Sequence, residues 1–186
     1  LVYVCSFTSM AMVLYKNKIV IKLSSMYIGL ISASLCWFDD TLRAFLEPVD
    51  EIWHAGDFGS IETLDNIKEF KPLRGVYGNC DDYIVRLAVP EFQLFEMEGM
   101  RVAITHIGGY PGHYYYNAAR FLERHKPSLF VCGHSHILRV MNDFKRNMMV
   151  LNPGAAGIQG FHKVRTALRF KIENGGLKEM EVGQWE

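Results

Sequence analysis

Five apolar runs of strand length in this chain each end at side chains of the kind that bind metal ions. Ile52-Trp53 precedes His54 and Asp57, Val76-Tyr77 precedes Asn79, Ala103-Ile104 precedes His106, Phe130-Val131 precedes His134 and His136, and Val150-Leu151 precedes Asn152. Short apolar runs bounded by turn residues read as buried strands. In an open α/β sheet the carboxyl ends of the strands share one edge, so side chains distant in sequence are expected to converge in a single crevice.

The order of elements sets the class. Residues 27–31 read as a buried strand, followed by a loop and a helix that Asp39 and Asp40 can cap. A strand over residues 51–55 leads through Gly56-Asp57 to a helix from about Ser60, where Ile61, Leu64 and Ile67 form one stripe. A third strand covers residues 73–77. Strands separated by helices predict a partly parallel sheet with right-handed crossovers. Farther on, residues 92–97 and 100–104 flank Glu98-Gly99 as a hairpin, a helix is expected over residues 114–124, and a strand over 128–132. Two more hairpins cover residues 138–151 and 165–182, the latter turning at Asn174-Gly175-Gly176. Such a chain predicts an α/β fold in which two mixed β-sheets pack face to face with helices outside, an α/β sandwich.

Composition narrows the partners. The 186 residues carry 20 basic and 20 acidic side chains, so no long-range field draws the protein to a nucleic-acid polymer or an anionic membrane. Cys5, Cys36, Cys80 and Cys132 form no C-x-x-C pair and read as reduced thiols of a cytoplasmic protein. Residues 1–15 are apolar yet shorter than a spanning helix, with no leading basic residues. Residues 1–25 are therefore taken as an N-terminal extension, either a loosely docked tail or a stretch upstream of a natural start at Met10, Met12 or Met26. Residues 26–186 form the domain.

Taken singly, the candidate ligands are ordinary. An Asp after a Gly is most often a turn or cap, and a lone His is most often bonded to backbone. His134-Ser135-His136 is stronger, because an extended stretch would point the two imidazoles to one face, while a tight turn led by Gly133 would fan them toward two neighbouring ions. Together, His nitrogens with Asp and Asn oxygens suit one or two borderline or hard divalent ions, Mn, Fe, Zn or Ni, and the absence of clustered Cys argues against a structural zinc knuckle. Two ions bridged by one carboxylate, with Asp57 the candidate, are what phosphoester cleavage by metal-activated hydroxide needs. His54 is read as packing beside Trp53, and Lys163 and Arg165 as surface cations. The loop over residues 108–112 and the aromatic run Tyr114-Tyr115-Tyr116 overhang the site, to stack on a nucleoside or to cap the core.

Gly56-Asp57, Gly78-Asn79, Thr105-His106, Gly133-His134-Ser135-His136 and Asn152-Pro153-Gly154 occur in the order found in the calcineurin-like metallophosphoesterases. From residue 26 to about 182 the chain resembles the small single-domain bacterial and archaeal phosphodiesterases of that family, related to the retromer subunit of the same fold. The resemblance implies a dinuclear centre at the strand ends. One ion would be held by Asp57, Asn79, His106 and His134, the other by Asp57 and His136. Asn79, Gly108 and Tyr110 would contact a small phosphoester substrate. The oligomeric state is not readable.

One departure is plain. The family opens the loop after its first strand with Asp-x-His, whereas this chain has Ala33-Ser34-Leu35-Cys36, and neither Ala33 nor Leu35 can ligate an ion. This reads as a natural loss of dinuclear activity, as a single-metal variant, or as an altered sequence. It also opens a rival to the enzyme, a non-catalytic interaction module with a degenerate metal site. The larger phosphatases place His directly after the Asn. Cys80 stands here instead, so no general acid is assigned.

Overall fold

The computed structural model describes residues 10–15, 18–23 and 25–186, the first two stretches by backbone alone. The extension assigned to residues 1–25 thus falls partly outside the described residues. Within it, β1 (Met10–Tyr15) and β2 (Lys18–Leu23) form a separate antiparallel two-stranded sheet, so residues 19–23 do not widen either main sheet.

The order continues as β3 (Met26–Ile31), α1 (Asp40–Leu46), β4 (Glu51–His54), α2 (Ile61–Phe70), β5 (Leu73–Gly75), α3 (Tyr83–Ala88), β6 (Phe92–Met97) and β7 (Met100–Thr105). Then come β8 (Gly109–Tyr110), β9 (His113–Tyr114), α4 (Tyr116–His125), β10 (Leu129–Val131), β11 (Leu138–Asp143), β12 (Met148–Pro153), β13 (Arg165–Glu173) and β14 (Gly176–Trp185). One five-stranded sheet has the order β14-β13-β3-β4-β5, the other β11-β12-β10-β7-β6. In the first, β3, β4 and β5 are parallel while β13 and β14 run antiparallel. In the second, β7, β10 and β12 are parallel, with β6 and β11 as antiparallel edges.

Side chains alternate across each strand, and the alternation builds three apolar layers. Ile28, Leu30, Trp53, Leu168 and Phe170 of the first sheet meet Val102, Ile104, Leu129, Val131 and Leu151 of the second. The outer face of the first sheet, with Ile31 and Ile52, is covered by Leu42, Leu46, Leu64, Ile67 and Val85 of α1, α2 and α3. The outer face of the second, with Ala103, Phe130 and Val150, is covered by Ala118 and Leu122 of α4. The architecture is therefore the two-sheet α/β sandwich. Trp53 packs edge-on against Phe95 and Phe170, centroids 5.2 and 5.9 Å away, contacts worth about 0.5–1.5 kcal/mol each beyond the area they bury.

Helix ends follow local chemistry. Asp39 caps α1 by accepting from the Leu42 N–H, and Ser60 caps α2 through Thr63. The turn between β13 and β14 has Asn174 and Gly175 at φ 52° and 72°, as a mirror-image hairpin turn demands. Among the described residues no helix is long and apolar enough to cross a membrane.

Candidate metal centre

Six parallel strands, three from each sheet, send their following loops to one edge of the sandwich. Backbone bonds stitch these loops to one another within each sheet and, at Ala156, between the sheets. The Ala33 N–H donates to Gly56 O, Gly133 N–H to His106 O, and Ala156 N–H to Ser32 O. Asp57, Asn79, His134 and His136 line a common cleft of about 760 Å³ there, together with Leu35, Cys36 and His162.

The densest part is a meeting of three acceptors. His106 Nδ1 lies 2.7 Å from Ala55 O, which can only accept, so the neutral ring carries its proton on Nδ1. The bare Nε2 then faces Asp57 Oδ2 at 3.1 Å and Asn79 Oδ1 at 3.1 Å. Three such acceptors meet stably only around a proton on Nε2 or around a metal cation. Ligands about 2.0–2.2 Å from one ion and at right angles stand roughly 2.8–3.1 Å apart, so this spacing fits a shared divalent cation. Its mixed imidazole, carboxylate and amide donors suit a borderline or hard ion. A backbone carbonyl on the outer nitrogen is also how metal-binding histidines are oriented. Among the described residues no three His, Cys, Asp or Glu side chains form a metal cluster by themselves; here the third donor is the amide oxygen of Asn79.

Burial raises the energy of an ionised Asp57, yet a protonated His106 ring, which would donate from Nε2, and the Cys80 N–H outweigh it and hold the carboxyl down to about 2. His134 sits beside this group, its ring centroid 5.3 Å from that of His106. Burial and the neighbouring His106 lower its pKa, which keeps the imidazole neutral and able to bind a metal. His136 lies across the same cleft, lowered by burial and by His162.

Backbone strain concentrates at this edge. Ala33, Leu35, Cys36, Asp57, His134 and His136 all have positive φ, between 46° and 68°. For non-glycine residues such torsions persist only where the surroundings enforce them, and they gather at functional sites. Gly56, at φ 90°, also lets the chain pass against His106, because a Cβ there would stand 2.5 Å from Nδ1.

The structure brings together Asp57, Asn79, His106, His134 and His136, but not every residue proposed for the site. Gly108 is buried against Cys132 and Phe130, and Tyr110 lines a smaller cavity of about 230 Å³ that also touches His134 and Asn152. Neither reaches the main cleft. Arg139 lies over Tyr110 at 4.2 Å, with its Nε buried and unpartnered. Tyr114 caps the core, bonding Asp143 through its hydroxyl at 2.8 Å.

His54 is fully buried and stacks on Phe58 at 3.7 Å. It accepts from the Gly56 N–H through Nδ1 and meets Ser34 Oγ at Nε2, and burial drives its pKa down to about 3. Asn152 holds the loop bearing His134, donating to Gly133 O at 2.7 Å while accepting from the Gly154 N–H. One expectation is overturned. Arg165 is no surface cation: it is 7% exposed, clamped to both oxygens of Asp39 at 2.9 and 3.0 Å, and donates to Ala156 O.

Two residues escaped the sequence reading. Asp81 is buried and accepts three backbone N–H groups, from Asp57 at 3.0 Å, Gly59 at 2.9 Å and Gly78 at 2.7 Å. It thereby ties the loop bearing Asp57 to the loop bearing Asn79. His162, on the loop between β12 and β13, meets His136 with 3.2 Å between their Nδ1 atoms. The doublet Asp81-Asp82 does not say which member points inward, and a single loop histidine carries no periodicity.

Comparison with known proteins gives an independent line. The family model for the calcineurin-like phosphoesterase superfamily domain matches residues 26–175. A probable metallophosphoesterase of Methanothermobacter thermautotrophicus is 30% identical over 109 residues, 58% of this chain; the match spans 60% of that relative's length. A structurally characterised archaeal phosphodiesterase has a TM-score of 0.64 at 19% identity, covering 86% of this chain and 100% of its own. Vps29 of Entamoeba histolytica complexed with zinc has a TM-score of 0.58 at 15% identity, covering 86% and 99%. At these identities the two structures speak for the fold.

Proposed function

The chain belongs to the calcineurin-like phosphoesterase superfamily, and from that premise we propose that it is a metal-dependent phosphodiesterase acting on a small phosphoester in the cytoplasm. The observation that carries this reading is the meeting of Asp57 Oδ2, Asn79 Oδ1 and His106 Nε2 at a spacing one divalent ion would span, beside the cleft that Asp57 and Asn79 line. Asp57, Asn79, His106 and His134 would hold the ion; Mn, Fe, Zn or Ni all suit such donors. When bound, a divalent ion supplies Lewis acidity toward a phosphoryl oxygen and makes water nucleophilic at neutral pH.

The chain's own groups supply position and charge. The Ala55 carbonyl fixes the His106 ring, and the Cys80 N–H and Asp81 fix Asp57, so the donors are arranged before substrate arrives. Arg139, stacked on Tyr110, lines the smaller cavity that His134 also borders, and would offer its guanidinium only to an anionic ester that extends into that cavity. Cys80 has its thiol pKa raised by burial and by Asp57, which argues against a covalent cysteine route.

A second reading has its own support. Ala33 and Leu35 bring no ligand to the cleft, as suits a binding platform rather than an enzyme. Hydrolysis of bis-p-nitrophenyl phosphate by protein loaded with Mn²⁺ or Zn²⁺, with His106→Ala as control, separates the two. Turnover lost in the variant supports the enzyme. No turnover by wild type with bound metal demonstrated refutes the phosphodiesterase and favours the platform.

A further inference from the structure

We propose that His136 and His162 together form a second divalent-ion position in this cleft, with His162 supplying from the β12–β13 loop a ligand that the loop after β3 lacks. The inference rests on reading the cleft as a metal centre, and it concerns a residue outside the motifs of the family.

The geometry of the pair is specific. His162 Nε2 lies 2.8 Å from Gly157 O, an acceptor, so the proton of the neutral ring sits on Nε2 and the Nδ1 lone pair is free. That Nδ1 accepts a hydrogen bond from His136 Nδ1, 3.2 Å away, with the rings nearly perpendicular at 77°, and an ion bound by both nitrogens would replace that proton. Two imidazole nitrogens bound at about 2.0–2.1 Å stand roughly 2.9 Å apart at a right angle and 3.4 Å apart at the tetrahedral angle. The observed separation lies between these limits. A carbonyl behind the ring, as at His106, orients the imidazole for a ligand in front.

The loop backbone packs closely on the pair. Gly160 passes directly over it: a Cβ there would stand 2.5 Å from His136 Nδ1 and 3.0 Å from His162 Nδ1. Its φ of 133° is a conformation that side chains rarely adopt. The loop is held against the ligand-free strand end by Ala156 N–H to Ser32 O and Gly157 N–H to Ala33 O. His162 therefore enters the cleft over the stretch where Ala33 and Leu35 offer nothing. Two imidazoles select Zn²⁺, Ni²⁺ or Co²⁺ over Mg²⁺ or Ca²⁺, with water or substrate oxygens completing the shell.

Equilibrium dialysis against Zn²⁺ with elemental analysis, paired with ¹⁵N NMR of the imidazoles, tests this. Two ions are expected on wild type, one on His162→Gln and one on His106→Ala, and Zn²⁺ should move the Nδ1 resonances of His136 and His162 in wild type and in His106→Ala. Wild-type stoichiometry and affinity in His162→Gln, or an unmoved His162 Nδ1 resonance on saturating wild type, overturns the proposal while leaving the Asp57–Asn79–His106 position intact. No ion on wild type overturns both. The resonance is read on wild type, so the answer does not depend on the variant folding.

Discussion

Asp81→Asn tests whether one buried carboxylate sets the geometry of the centre. Asp81 Oδ2 accepts from Asp57 and Gly78, and Oδ1 from Gly59. An amide of the same shape has one acceptor, so its oxygen takes the doubly bonded position and its NH₂ is left against the Gly59 N–H. Losing a charge-assisted bond and burying an unpaired donor costs roughly 1.5–3 kcal/mol, and turning two charged acceptors neutral costs about 1 kcal/mol each. Relief of repulsion with Asp57 returns of order 1 kcal/mol, leaving a net loss of about 2.5–4 kcal/mol. Urea unfolding followed by tryptophan fluorescence reads this as a lower midpoint at unchanged slope. The same variant should bind metal more weakly, since the two loops it unties carry Asp57 and Asn79. A loss below about 1 kcal/mol with wild-type metal affinity would refute the reasoning.

Three further outcomes follow from single contacts. The Arg165 guanidinium holds the Asp39 carboxyl down to about 2, below the unfolded value near 3.9, so this pair stabilises the fold above about pH 4 and the contribution is lost as pH falls through about 2. Asp39→Asn keeps a capping side chain but should remove about 1–2 kcal/mol of that acid-dependent stability, read as the difference between wild type and variant melts at pH 5 and pH 2.5; equal differences at both would refute it. In Gly78→Ala the new Cβ would land on Asp57 Oδ1, so metal binding should fail at a stability cost of about 1–3 kcal/mol, checked by dialysis and urea unfolding. Leu35→His should raise affinity for the ion beside His136, because Leu35 lines the cleft and its φ of 46° suits His better than Leu; unchanged affinity by calorimetry would mean that the loop does not face the ion.

What was legible in the sequence is what local rules encode. The buried parallel strands are near-continuous apolar runs, and Asp39, Ser60 and Asn174-Gly175 announce caps and a turn through their own backbone chemistry. The convergence of Asp57, Asn79, His134 and His136 on one cleft was legible because topology alone gathers strand ends. The unread parts depend on distant partners. Helix α3 has six residues and buries only Val85, too little for a periodic signal. Arg165 looks like any exposed cation until Asp39, 126 residues away, is placed beside it. Asp81 and His162 act through loop conformation, which no repeat in sequence reports.

The loop after β3 explains how the fold keeps its cleft without the two usual ligands. Its shape is set by main chain: Ala33, Leu35 and Cys36 donate to Gly56, Asp57 and Phe58 carbonyls, and Trp37 N–H returns to Ser34 O. Ser34 Oγ adds a bond to His54 on the buried side. None of these contacts involves the side chains at 33 and 35, so replacing carboxylate and imidazole by methyl and isobutyl leaves the backbone, with its positive φ values, in place. Changing those side chains should therefore alter ion affinity on one side of the cleft while leaving the other side, anchored by Ala55 O, Cys80 N–H and Asp81, in place. Stability and metal occupancy are thus separable here. A variant at position 35 or 162 should change the second ion without shifting the unfolding midpoint of the metal-free protein by more than about 0.5 kcal/mol, whereas one at 81 should move both.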